Sequence, residues 1–407
     1  MRTVAFVIPF AFETSLRFLR SALSLSGVRV GVISADPLDR LGPEIARRVA
    51  GHWRVNDPLN AGELVQATRG LAKQMGSVER LVGVLEQLQV PLAQAREVLG
   101  LPGLSVEAAL NFRDKARMKD VLRRAGVPCA RHCLARSPAE AKAFLAEVGL
   151  PVVIKPQAGA GAKNTFRLDA ASQVLEALAA FPPSAASPTL IEEFVTGREH
   201  SFDSVCVGGE LVWASVSRYT PSPLEVLQND WIQWTVLLPR EVGGPEFEPI
   251  RRAGRQALAA LGMTTGLSHM EWFQRDDGRA VVSEVAARPP GAQITTLMSY
   301  AYDADLYRAW AKLVIGDTFE APERKYAAGA AYLRGQGQGD RITAVRGLER
   351  AQAAVGPLVV EVKLPRMGQA RSSSYEGEGY VIVRHPRTEV VQEALQTIVT
   401  QVRVEAG

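Results

Sequence analysis

Two carboxylates on one expected β-hairpin carry the most chemical content in this chain. From His269 to Ala286 the sequence reads HMEWFQRDDGRAVVSEVA, and Asp277-Gly278 is a two-residue turn signal between strand-like runs. If those two residues are the loop, Asp276 faces Arg279, and counting outward sets Glu271 opposite Glu284. The same register puts His269 opposite Ala286 on that face. Like charges placed opposite one another, with Cβ atoms about 4.5–5.5 Å apart, are destabilising unless compensated. Mg²⁺ is the economical compensation, because it takes carboxylate oxygens together with substrate phosphates and keeps waters. Arg288 leaves the sheet close to these acids, where a guanidinium could grip a carboxylate or a developing phosphoryl group with two prongs. The plainer alternative is a surface hairpin whose acids are tied down by Arg275 and Arg279.

A second stretch, Leu150 to Leu168, reads LPVVIKPQAGAGAKNTFRL. Val152 to Ile154 predicts a strand ending at Lys155 and Pro156. A small-residue loop follows, Gly159, Ala160, Gly161 and Ala162, and Thr165 to Leu168 predicts a returning strand. A lysine beside a loop with little bulk suits a polyphosphate, since backbone N–H groups can approach the oxygens while the ammonium neutralises charge. No Gly-Lys-Ser/Thr follows, so this is not a P-loop. Taken alone, the loop reads more readily as a Gly/Ala-rich turn between strands.

These residues need elements to hold them. Thr3–Ile8 and Val28–Ile33 predict buried strands, Thr14–Leu25 a helix, Val78–Val84 another strand and Leu85–Leu99 another helix. Strands alternating with helices imply a parallel α/β sheet over the first hundred residues. Its first strand-to-helix turn lacks G-x-G-x-x-G, which argues against an NAD or FAD enzyme. A helix begins at Asp114 and stops at Gly126 and Pro128. Lys115 in its first turn opposes the helix dipole, so it is either solvated or drawn to an anion. Thr189–Val195 predicts a strand carrying Glu192 and Glu193, and Gly208-Gly209 a hairpin between Ser201–Val207 and Leu211–Val216. The aromatic segment from Tyr219 to Val236 is either a packed surface loop or a flap over substrate. Tyr326–Arg334, Leu358–Leu364 and Tyr380–Val383 predict strands, Thr388–Val402 a helix, and Gly335 to Gly339 a flexible turn.

With 407 residues, 47% of them hydrophobic, the chain has the length for several cores. A net charge of +4 is spread over scattered arginine pairs, which does not indicate a nucleic-acid groove. Cys129, Cys133 and Cys206 are odd in number and lack C-x-x-C spacing, which argues for a reducing compartment and against a zinc site. The N-terminal apolar run is short for a signal peptide, and no apolar segment reaches membrane-spanning length. A cytoplasmic protein acting on small molecules is expected.

In this order the motifs resemble the ATP-grasp superfamily, and within it the carboxylate–amine ligases of the L-amino-acid ligase and biotin-carboxylase-like branch. The resemblance rests on Asp114-Lys115 with Gly126-Val127-Pro128, Ile154-Lys155-Pro156 with the glycine loop, and Ile191 to Val195 with Gly197 and Glu199. Glu271 and the run Glu284-Val285-Ala286-Ala287-Arg288 complete it. It implies an α/β plus α+β architecture: an ATP-grasp fold with a Rossmann-like pre-ATP-grasp domain at 1–110 and a lid subdomain with linker helices at 111–188. A large subdomain with the metal site would follow at 189–320, and a small C-terminal α+β domain at 321–407.

The resemblance further implies that Lys115 and Lys155 contact the phosphates of ATP under a lid formed by Gly159 to Ala162. Glu192 and the backbone of Glu193, Phe194 and Val195 would hold adenine, and Glu199 the ribose. Glu271 and Glu284 would ligate Mg²⁺ (or Mn²⁺), and Arg288 would stabilise an acyl-phosphate. Carboxylate and amine substrates, one of them an amino acid, and a homodimer through the N-terminal domain are implied as well. Carboxylation or formylation, or nucleotide binding without catalysis, are the alternative functions. In one departure from the family's Glu-x-Asn-x-Arg, Ala286 stands where an Asn would ligate metal. His269, opposite it in the expected register, is the candidate to fill that gap and to contact metal-bound water or substrate.

Overall fold

The computed structural model describes residues 1–158, 165–180, 182–229 and 231–407. The expected phosphate-covering loop, Gly159 to Ala162, lies outside the described residues.

Strands Gly51–Arg54, Val28–Ser34, Arg2–Ile8 and Arg80–Gly83 lie side by side in that order, all parallel. Val4, Phe6 and Ile8 pack with Leu16 and Leu19 of helix Glu13–Leu23. Ala5 and Val7 point the other way, onto Leu64 and Leu71 of helix Ala61–Met75. Helices on both faces explain why this strand is a continuous apolar run instead of an alternating one.

A four-stranded antiparallel sheet follows, in the order His132–Ala135, Thr189–Glu193, Val152–Lys155 and Phe166–Leu168. The expected strand and its return therefore pair directly, Val152 with Leu168 and Ile154 with Phe166.

The largest sheet has eight strands: Ala280–Ala286, Gly266–Gln274, Arg198–Val207, Glu210–Thr220, Trp234–Leu238, Ala327–Leu333, Gly379–His385 and Val359–Lys363. The last three come from the C-terminal quarter, so that segment extends the sheet which carries the acid pair. Helix Thr388–Gln401 covers it through Val391, Leu395 and Ile398, packed with Ala327, Ala331 and Leu333. Gly335–Gln336, expected as part of a flexible turn, instead forms a short strand paired with Arg403–Ala406. Among the described residues no helix is long and apolar enough to cross a membrane.

The acid-bearing hairpin corrects one expectation and keeps its result. Its loop has three residues, Asp276 to Gly278. Arg275 N–H donates to the Arg279 carbonyl at 3.0 Å and Gly278 N–H to the Arg275 carbonyl at 2.9 Å, with Gly278 at φ +80°. This is the turn-plus-left-handed-residue arrangement of three-residue hairpins. It displaces the ladder by one, so that Gln274 faces Ala280 and Trp272 faces Val282. A bulge at Ser283 takes the extra residue back, and beyond it Glu271 faces Glu284 and His269 faces Ala286.

Candidate active site

Helix Lys115–Arg124 starts where the Asp114 side chain accepts from the N–H groups of Ala116 and Arg117. Lys115 and Lys119, four residues apart, share one face of it. Lys115 Nζ lies 2.6 Å from Glu284 Oε1. Lys119 is completely buried, its Nζ 2.8 Å from the Ser283 carbonyl and 3.3 Å from Glu192 Oε2. Lys155, from the neighbouring sheet, reaches Glu192 Oε1 at 2.9 Å.

Charges of opposite sign thus alternate along one wall, and their titration follows. Burial opposes the charge on Glu192, but Lys119 and Lys155 outweigh it and hold the carboxyl below its ordinary value. Glu284 is likewise lowered, with Lys115 and Lys155 overcoming burial. Burial lowers Lys119 by more than Glu192 restores, whereas Lys155 is raised because Glu192 and Glu284 together exceed its desolvation. Lys119 was not among the expected residues; its i, i+4 spacing from Lys115 was the available signal.

The expected adenine-side backbone is partly committed. Glu193 N–H donates to the Arg131 carbonyl and Phe194 N–H to the Pro151 carbonyl, at 3.0 and 3.1 Å. The Glu193 carboxylate accepts from Arg131 N and Nε at 2.8 and 2.7 Å. Glu193 therefore braces the edge of the cleft. Phe194 lies under the Arg167 guanidinium, 4.2 Å from the ring centre.

The floor is built by strand pairing. Arg198–Val207 lies beside Gly266–Gln274, so that Glu199 faces Phe273, Ser201 faces Glu271 and Asp203 faces His269. Asp203 is fully buried; its Oδ1 is 2.6 Å from His269 Nδ1, and its Oδ2 accepts from Ser201 Oγ at 2.6 Å. The other ring nitrogen, His269 Nε2, is 3.7 Å from Glu271 Oε1. Burial works against a charged imidazole, yet the charge and hydrogen bond of Asp203 raise His269 to about 9. Burial and the charge of Glu271 push Glu199 well above the usual carboxylate range. Asp203 was also missed, although polar residues at alternate positions of a buried strand, Glu199, Ser201 and Asp203, announced it.

Arg288 is held from the 3-10 turn Glu86–Leu88, which follows the edge strand Arg80–Gly83 of the N-terminal sheet. Its Nε and Nη2 donate to Glu86 Oε2 at 3.1 and 2.8 Å, and Arg113 Nη1 donates to Glu86 Oε1 at 2.6 Å. Every described residue of the expected site lines one cleft, from Lys115 and Lys155 through Glu192 to Val195 and Glu199, to His269, Glu271, Glu284 and Arg288. Tyr219, Leu224, Trp234, Ile294 and Tyr375 give the same cleft an apolar end. Trp234 stacks on Tyr332 at 4.7 Å, and its Nε1 donates to the Tyr375 carbonyl at 2.6 Å.

Against this geometry, the model of the ATP-grasp domain matches residues 120–301. The chain carries an ATP-grasp domain. The L-arginine-specific L-amino acid ligase of Bacillus subtilis is 24% identical over 241 residues, 58% of this chain and 57% of that ligase's length. In fold, the L-amino acid ligase of Bacillus licheniformis superposes with a TM-score of 0.79 over 100% of this chain and 99% of its own, at 18% identity. The biotin carboxylase domain of the Hydrogenobacter thermophilus 2-oxoglutarate carboxylase, solved with MgADP, ADP and bicarbonate, gives 0.68 at 17% identity, covering 99% and 90%. The whole chain therefore has the ATP-grasp fold, its cleft lying between the four-stranded antiparallel sheet and the eight-stranded sheet.

Among the described residues no group of three or more His, Cys, Asp or Glu is arranged to hold a metal ion. The pair Glu271 and Glu284 fits Mg²⁺ on the chemistry of its donors. Both are oxygen ligands on adjacent strands, facing a cleft whose lysines suit phosphate, and Mg²⁺ needs only one or two carboxylates when phosphates supply the rest.

Proposed function

We propose that this chain is an ATP-dependent carboxylate–amine ligase that makes an amide bond through an acyl-phosphate. One observation carries the reading: three phosphate-suited cations, Lys115, Lys155 and Arg288, and the facing acids Glu271 and Glu284 line a single cleft with an apolar end. ATP would lie with its base beside Glu192 and Val195 and its ribose at Glu199. Lys115 and Lys155 would bind the phosphates, and Glu271 and Glu284 would hold Mg²⁺, which when bound shields phosphate charge.

A substrate carboxylate oxygen attacks the γ-phosphorus, the bond to the β-phosphate oxygen breaks, and ADP leaves. An amine then attacks the acyl carbon and phosphate departs, leaving an amide. Such phosphoryl transfer depends mostly on positioning and charge stabilisation, and this wall supplies both. Arg288, fixed by Glu86, orients the reacting carboxylate and stabilises the acyl-phosphate. His269, locked by Asp203, occupies the side of the acid pair where Ala286 offers no ligand. The apolar end, from Tyr219 to Tyr375, takes the side chain of the acid.

Phosphate release measured across pairs of amino acids with ATP and Mg²⁺ tests the reading. Release that needs both an acid and an amine supports it. ADP formation driven by bicarbonate or formate, with no amine-dependent product, would favour the carboxylating or formylating alternative.

A further inference from the structure

A crevice of about 490 Å³ separates two of the sheets. On one side are the edge strand Arg80–Gly83 and helix Gln89–Leu99. On the other, the eight-stranded sheet contributes the turn at Val207 and Gly208 and the run from Met263 to Leu267. Arg288 is the single described residue that lines both this crevice and the ATP cleft.

Its charge is unbalanced. The described lining residues include three arginines, Arg80, Arg96 and Arg288, and one acid, Asp317. Arg80 Nη2 is 2.5 Å from Asp317 Oδ2, and Arg288 is taken by Glu86. Arg96 is left over. Its Nε donates to the Leu81 carbonyl at 2.8 Å, while its two terminal nitrogens have no hydrogen-bond partner among the described residues. The residue is half-buried, and those two nitrogens keep surface open, so a ligand can touch them.

A desolvated charge without a partner is costly. Arg96 stands in the last turn of helix Gln89–Leu99, where the dipole favours a cation. That help is insufficient. Burial first, and then the charge of Arg80, lower the guanidinium from 12.5 to about 10, with no carboxylate offsetting either. The turn at Pro102 and Gly103 lies directly on the same side chain: a Cβ on Gly103 would fall 2.7 Å from Arg96 Cδ and 3.0 Å from Cζ. Backbone at that distance fixes the plane of the guanidinium, which makes it a pre-set donor pair.

The class of ligand follows from counting charges and shapes. One unpaired guanidinium calls for one negative charge, and two free terminal nitrogens match the two oxygens of a carboxylate. A phosphate dianion would need a second unpaired cation, and Arg80 and Arg288 are both engaged. Pro102, Val207 and Val314 keep apolar surface along the walls. The volume lies within the roughly 300–1,000 Å³ of small-molecule pockets.

We propose that this crevice binds a small organic carboxylate with an apolar body, its two oxygens on the terminal nitrogens of Arg96. The site is separate from the ATP cleft, and the assignment does not rest on the ligase reading. A molecule seated there touches both sheets, so its binding stabilises the folded chain.

Isothermal titration calorimetry with hexanoate, benzoate and indole-3-acetate tests the proposal, with acetate and inorganic phosphate as comparison anions. At least one of the first three is expected to bind once per chain with a Kd below about 1 mM, and to raise Tm. Binding by none of them, or tighter binding of phosphate, would overturn it. With ADP and Mg²⁺ present the affinity is expected to stay within twofold; competition would place the carboxylate in the ATP cleft and overturn the separate site.

Arg96→Gln retains a donor for the Leu81 carbonyl and removes the charge. It is expected to weaken the best carboxylate tenfold or more and to leave the Kd for ADP with Mg²⁺ within twofold; an unchanged carboxylate Kd would overturn the assignment. Wild-type crystals soaked in that carboxylate need no substitution. Its oxygens are expected about 2.7–2.9 Å from the two terminal nitrogens of Arg96. Density for it elsewhere, with none at Arg96, would overturn the proposal.

Discussion

His200 sits beside Glu199 but on the opposite face of the sheet, stacked on Trp272 with ring centres 4.7 Å apart. Its Nδ1 meets the Ser217 carbonyl at 3.2 Å, and its Nε2 is buried with no partner among the described residues. Burial, helped by Arg218, lowers it from 6.5 to about 4. The unfolded chain therefore binds the proton first as pH falls. The stability linked to His200 is complete above pH 6.5 and is lost progressively between 6.5 and 4, about 2 kcal/mol of it by pH 5. Urea unfolding at pH 7.5 and 5 should show His200→Phe losing less stability across that interval than wild type; equal losses would exclude His200 as the cause. Lys119 gives a second expectation. A double-mutant cycle of Lys119→Met and Glu192→Gln should report a coupling of about 1–3 kcal/mol in unfolding, since the two meet in a fully buried position. A cycle that closes near zero would mean that Lys155 alone satisfies Glu192. Residue types revealed the lysines and acids of this wall but not their pairing. Lys115 was expected to meet phosphate, and in the structure its Nζ holds Glu284.

At the scale of elements, two glycines next to the site have different reasons to be glycine. Gly278 lies in the hairpin loop at φ +80° with open space where a Cβ would go. Gly278→Ala should cost only the left-handed backbone, about 1–2 kcal/mol, with the KM for ATP unchanged. Gly197 precedes strand Arg198–Val207, and a Cβ there would lie 2.6 Å from the Gln274 carbonyl oxygen of the neighbouring strand. Because backbone cannot yield as a side chain can, Gly197→Ala should be the more destabilising in urea and should raise the KM for ATP severalfold by moving Glu199. Equal effects of the two substitutions would contradict this. The hairpin also shows how far pattern reasoning carries. Facing of Glu271 and Glu284 was legible from alternation and a turn signal. The three-residue loop and the bulge at Ser283 were not, because each shifts the ladder by one residue and together they leave the outer register unchanged. A bulge is set by tertiary packing, and the sequence around Ser283 has no glycine to mark it.

Across the whole molecule, alternating strands and helices made the N-terminal sheet readable, and the order of motifs made the ATP-grasp architecture readable. What stayed hidden depends on distant segments meeting. Glu86 pins Arg288 across 202 residues. Val359–Lys363 and Gly379–His385 join the sheet of the acid pair instead of forming one of their own. Long-range pairing of this kind leaves no local periodicity to read. Formation of an acyl-phosphate in this cleft is decided by oxygen-18. Amino acids labelled in the carboxylate are incubated with ATP, Mg²⁺ and the amine partner, and the released phosphate is analysed by mass. One labelled oxygen is expected in each phosphate released with amide; phosphate that stays unlabelled while amide forms would contradict acyl transfer through phosphate.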